Sequence, residues 1–261
     1  HLFPSGIGNL MLDLFCRPIG GKIFTKKEKL FLDKSTWIPL HLNGKKIQCY
    51  TWGQGEKKIL LAHGFNSNAS RWRILVNLLI AANYQVIALD VPAHGHSEWK
   101  RVNGILYAQV MEVVMEHFKP QSIIGHSFAG MAFAYYFSKM KYQPVEKMIL
   151  MGVPNELEDI TNVFFQTIQA NSKVQAAYYT AFQKKFGYEA NYFTLSKLLK
   201  EVPYPTLIIH DKQDEIASFE GAKIIHQTMV NADFFPTQNL GHSLQGRVVY
   251  KEALAFLEKS H

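Results

Sequence analysis

Short apolar runs alternate with helical patterns from residue 58 onward, and this alternation limits the fold more than any other feature of the chain. Lys58–Ala62, Val86–Asp90, Ser122–Ile124 and Lys147–Met151 read as strands, and Arg71–Ala82, Ile105–Phe118 and Phe128–Lys139 read as the helices between them. Regular strand–helix alternation implies a parallel sheet covered on both faces, and runs as short and apolar as Ile123-Ile124 suit such buried strands. Upstream, Trp37–Leu42 and Lys46–Trp52 flank Asn43-Gly44, a strong hairpin signal. The alternation lapses over residues 155–202, which are helical in pattern and rich in Phe and Tyr. It resumes with strand Thr206–His210, helix Phe219–Met229, strand Ala232–Phe235 and helix Val248–Glu258. The expected organisation is a prologue over residues 1–35, one α/β core over residues 36–154 and 203–261, and a helical insertion over residues 155–202.

The prologue places Leu10, Met11, Leu14 and Phe15 at helical spacing and breaks the pattern at Pro18 and Gly20-Gly21. It carries six basic residues against three acidic ones. Packing of this short stretch onto the body is the expectation, with contact to a membrane surface as the alternative.

Composition excludes several classes. The chain has 261 residues, 48 % of them hydrophobic and 19 % charged, which fits a globular domain with a sizeable core. Its cysteines, Cys16 and Cys49, exclude a disulfide scaffold, and two free thiols are expected in preference to one bridge. No apolar run approaches the ~20 residues of a membrane-spanning helix. The net charge of +7 is spread along the chain and no run resembles a nucleic-acid patch, so no nucleic-acid partner is expected. No secretory signal is visible at the start, and a cytoplasmic location is expected. The chain begins at His1 and not Met, which leaves a removed signal or anchor open, and nothing in the pattern sets an oligomeric state.

The chemistry concentrates at Gly125-His126-Ser127-Phe128-Ala129-Gly130, between a strand and a helix. A serine on such a turn projects its hydroxyl clear of the backbone, and small neighbours let the chain crowd there. A serine nucleophile needs a base within hydrogen-bond reach and an acid to orient that base. In this architecture the chain order is Ser, then Asp or Glu, then His. Asp214 follows the strand Thr206–His210, with Asp211 and Glu215 as neighbouring alternatives, and His242 follows the last strand. Both loops fall at C-terminal strand ends, where open α/β sheets bind ligands. Backbone amides after His63-Gly64 and at Phe128 are placed to stabilise a developing oxyanion.

Other motifs suggest less. His94 and His96 form an H-x-H pair, but no nearby Asp, His or Cys cluster completes a zinc set, so no metal is expected. His126 is expected to pack beside the serine turn. Gly104, Gly152 and Gly187 form no phosphate-cradling loop, and no cofactor is expected.

Over residues 37–260 the chain resembles the α/β-hydrolase fold superfamily. The resemblance rests on His63-Gly64-Phe65, on Asp90-Val91-Pro92-Ala93-His94-Gly95-His96-Ser97, on the Ser127 turn, on the Asp214 loop and on Gly241-His242-Ser243. It departs from the family pattern at Ala93 and Ala129, each of which replaces a glycine. The resemblance implies a mostly parallel eight-stranded sheet with helices on both faces and residues 155–202 as a cap. It implies Ser127 as nucleophile, His242 as base, Asp214 as orienting acid, and the amides of Phe65 and Phe128 as the oxyanion hole. A serine at the nucleophile position disfavours dehalogenase and epoxide hydrolase chemistry. The expected activity is hydrolysis of a small-molecule carboxylic ester or related acyl substrate through an acyl-enzyme. Carbon–carbon, amide or thioester hydrolysis on the same residues is the alternative, as is a non-catalytic binder on this fold.

Overall fold

The computed structural model describes residues 4–139 and 145–259, so His1 and His261, at the ends of the expected prologue and core, lie outside the described residues. The chain opens with α1 (Pro4–Phe15) and α2 (Lys26–Leu32), followed by the antiparallel hairpin β1 (Thr36–Leu42) and β2 (Lys45–Trp52). Asn43 and Gly44 turn it with φ of 52° and 75°, left-handed values suited to the two-residue hairpin turn. β3 (Lys57–Ala62), α3 (Arg73–Ala81), β4 (Tyr84–Leu89), α4 (Gly104–Phe118), β5 (Ser122–His126), α5 (Phe128–Lys139) and β6 (Lys147–Met151) alternate as expected. The interval before the next strand holds α6 (Leu157–Thr167), α7 (Ser172–Phe186) and α8 (Leu195–Leu198). Then come β7 (Thr206–Asp211), α9 (Phe219–Thr228), β8 (Ala232–Thr237) and α10 (Arg247–Glu258).

The eight strands form one sheet in the order β1-β2-β4-β3-β5-β6-β7-β8. All neighbours from β4 to β8 pair in parallel, and the β1–β2 and β2–β4 pairs are antiparallel. Successive side chains of a strand face opposite sides. Leu60 and Ile123 therefore join a core beneath α4, α5 and α9, whereas Ile59 and Ile124 join a second core beneath α2, α3 and α10. The central strands are buried on both faces, which is why they read as unbroken apolar runs.

The prologue packs onto the body. α1 runs against α7, and the ring of Phe15 meets those of Phe164 and Tyr178 edge-on at centroid distances of 5.3 and 5.6 Å. Cys16 and Cys49 are both free and buried. Burial pushes the Cys16 thiol up to about 11, so it stays protonated and unreactive at neutral pH. Among the described residues no helix is long and apolar enough to cross a membrane.

Candidate active site

Ser127 occupies the turn between β5 and α5 with φ of 55°, a left-handed conformation unusual for a residue with a side chain. Its amide donates to Met151 O and its carbonyl accepts from the Gly130 amide, both at 2.9 Å, so the strained turn is pinned from both sides. Ala129 is fully buried at this turn and is accommodated there without a glycine. The tight approach falls one residue later: a Cβ on Gly130 would lie 2.3 Å from Val153 Cγ1.

His242 sits in a short 3₁₀ turn, Gly241–Ser243, after β8. Its Nε2 lies 2.8 Å from Ser127 Oγ, and its Nδ1 lies 2.8 Å from Asp214 Oδ2 and 3.0 Å from Asp214 Oδ1. A carboxylate accepts only, so Nδ1 carries the proton and the bare Nε2 accepts from the serine hydroxyl. The loop is held in place by Arg71, whose guanidinium donates to Ser243 O at 2.8 Å. His126 adds a second tie through an Nε2–H donated to His242 O at 2.8 Å.

The Asp214 side chain is fully buried. Burial alone would raise its carboxyl, but hydrogen bonds from His242 and from the amides of Ala217 and Ile216 outweigh it and hold the group below the usual carboxylate range. The two alternatives for this position are engaged elsewhere or turned away. Asp211 accepts from Thr237 Oγ1, Leu240 N and Gln213 N at 2.7, 3.1 and 3.0 Å, and Glu215 is exposed. A residue that sequence reasoning passed over, His210, approaches Asp214 Oδ2 to 3.3 Å from below while donating its Nε2–H to Ala217 O at 2.9 Å. Burial lowers its affinity for a proton, so it faces the carboxylate as a neutral ring. Its place as the next-to-last residue of β7 was the only signal in the sequence.

The loop after β3 abuts the serine turn. A Cβ on Gly64 would stand 2.9 Å from Ser127 Cβ, so only glycine lets the loop approach this closely. His63 donates its Nδ1–H to Gly64 O at 2.7 Å and accepts from Val91 N at 3.1 Å, which fixes the orientation of that peptide. The Asn66 amide is bonded to His94 Nε2 at 3.0 Å. The Phe65 and Phe128 rings meet edge-on with centroids 6.0 Å apart. His94 and His96 serve the surrounding loop. His94 joins Asn66 to Pro92, and the His96 amide donates to the buried Asp90, which also accepts from Tyr50 and Ala69.

Ser127 and His242 open into a cavity of about 400 Å³ with an overwhelmingly apolar lining. Met131, Leu157, Phe164, Phe182 and Phe193 supply part of its wall. So do Leu12, Phe15 and Ile19, residues of the prologue whose spacing carries no sign of a place at the site.

Residues 57–186 match a family model described as the alpha/beta hydrolase fold. A bifunctional esterase/perhydrolase from Acinetobacter calcoaceticus is 22 % identical, over 82 % of this chain and 97 % of its own length. The monoacylglycerol lipase ABHD6 of Homo sapiens is 23 % identical, over 82 % of this chain and 80 % of its own. Among solved structures, an esterase from Exiguobacterium antarcticum superposes with a TM-score of 0.67 at 19 % identity, covering 86 % of this chain and 99 % of that one. With the matched family model, these relatives and the eight-stranded sheet, the chain is a member of the α/β-hydrolase superfamily.

Proposed function

We propose that the protein is a serine hydrolase that cleaves carboxylic esters carrying an apolar acyl or alcohol group. One observation carries this reading: the unbroken chain of hydrogen bonds from Asp214 through His242 to Ser127 at the wall of an apolar cavity. The names of the relatives, esterase and monoacylglycerol lipase, agree with it. In this reading residues 36–154 and 203–261 form the catalytic core and residues 155–202 a cap over the site.

His242 Nε2 takes the hydroxyl proton as Ser127 Oγ bonds to the ester carbonyl carbon. The carbonyl oxygen becomes an oxyanion, which the amides of Phe65 and Phe128 stabilise. Asp214 keeps the imidazole in the tautomer that can accept the proton and stabilises the cation that results. Collapse of the intermediate breaks the bond to the alcohol, which leaves with the proton from His242. Water then attacks the acyl-enzyme by the same route, releasing the acid and restoring Ser127.

Hydrolysis of p-nitrophenyl esters from acetate to laurate by wild type and Ser127→Ala tests this. Turnover that disappears in the variant, with a preference for medium or long acyl chains, is the expected result. Equal turnover in both proteins would remove Ser127 from the chemistry.

A further inference from the structure

The stretch from Arg17 to Leu30 places bare aliphatic side chains on a backbone held tightly to the body. The Ile19 amide donates to Asn66 Oδ1 at 2.8 Å, the Gly95 amide donates to Gly21 O at 2.8 Å, and Lys22 Nζ donates to Ser97 O at 3.1 Å. A Cβ on Gly21 would fall 2.1 Å from His94 Cδ2, so the loop lies hard against the body there. Phe24 stacks on His96 with centroids 4.6 Å apart. Yet this anchored loop exposes Ile19 by 91 % and Ile23 by 74 %, and α2 adds Leu30 at 55 %. Ordered backbone that presents large aliphatics to water marks a docking face more than a loose loop does.

Charge indicates what docks. Between Leu14 and Leu32 the chain carries Lys22, Lys26, Lys27 and Lys29 against one acid, Glu28, and Arg17 pairs with Asp13 at 3.0 Å. That acid is occupied in capping α2 through Thr25. The exposed lysines of α2 flank Leu30, while Phe31 and Leu32 point into the core. Aliphatic side chains among cations match an anionic lipid surface, where the cations meet headgroups and the aliphatics enter the acyl boundary. The face is continuous with the cavity, because Ile19 and Arg17 also line the cavity that reaches Ser127.

We propose that residues 17–30 form a docking face for an anionic lipid bilayer, which sets the cavity mouth against the membrane. Docking is independent of the serine chemistry and is read without a substrate. Sedimentation with sucrose-loaded vesicles of phosphatidylcholine, alone or mixed with phosphatidylglycerol, tests it on the full chain.

Wild type is expected to bind the mixed vesicles about tenfold more strongly than phosphatidylcholine alone, and less strongly as salt is added. Lys26→Glu/Lys27→Glu is expected to weaken binding by at least about tenfold. Ile23→Asp, at an exposed side chain outside the cavity wall, is expected to weaken it as well, with an unchanged thermal melt for both variants. Absence of binding, equal binding to both vesicle types, or binding indifferent to these substitutions would overturn the proposal. So would a wild-type dimer that Ile23→Asp dissociates without any vesicle binding, which would assign the face to a second copy of the chain.

Discussion

Asp211, the last residue of β7, and Asp214 and Glu215 just beyond it fall within five positions, and only Asp214 directs its carboxylate at His242 Nδ1. Asp214→Asn is expected to lower kcat by roughly 10³–10⁴, because an amide can no longer fix the productive tautomer. Asp211→Asn acts differently. It disturbs the bonds to Thr237, Leu240 and Gln213, at a cost of about 1–3 kcal/mol in folding stability, and leaves kcat within about tenfold. Steady-state kinetics and urea titration of the two variants separate these effects. Gly64→Ala places a methyl against Ser127 and shifts the Phe65 peptide, and a loss of about 10²–10³ in kcat is expected. Ser127 and His242 were legible in the sequence because each lies in a short motif beside a strand end. Asp214 was favoured there over Asp211 and Glu215, but spacing alone does not reveal which way a loop side chain turns.

At the scale of elements, α1 contributes to two structures at once. It packs along α7, and its Leu12 and Phe15 form part of the cavity wall. Leu12 is buried to within 1 % of full exclusion, so Leu12→Ala is expected to cost about 2–5 kcal/mol. The same truncation enlarges the cavity and is expected to move the preferred ester toward longer acyl chains. Denaturant midpoints together with a chain-length series check both outcomes, and an unmoved preference would remove α1 from the substrate wall. The helical spacing of Leu10, Met11, Leu14 and Phe15 announced α1 in the sequence. Its docking site on α7 was invisible there, because a periodic face shows that a helix buries one side without showing against what.

The whole molecule holds several uncharged histidines in its interior. Burial pushes His63 down to about 3 and His94 to about 4, and it also lowers His126 and His210. Unfolded histidine titrates near about 6.5. Between that value and the lowered folded values the unfolded chain binds more protons, so stability is full above pH ~6.5 and falls as the pH drops. Each of these histidines adds a slope of up to about 1.4 kcal/mol per pH unit in that window. Urea midpoints are therefore expected to be flat above neutrality and to fall steeply toward pH ~5, and equal midpoints at both would contradict this. The architecture was legible almost throughout, since parallel strands buried on both faces leave unbroken apolar runs. The interior role of the histidines was not, because a histidine reads alike in sequence whether it is buried or exposed.

The identity of the nucleophile is tested most directly by intact-mass and peptide mass spectrometry after treatment with a fluorophosphonate ester. The expected result is one adduct per chain, located on the peptide that contains Ser127, absent from Ser127→Ala, and formed in step with loss of ester hydrolysis. Complete loss of hydrolysis with the adduct on another residue, or full labelling of Ser127 with hydrolysis unimpaired, would contradict Ser127 as the group that attacks the substrate.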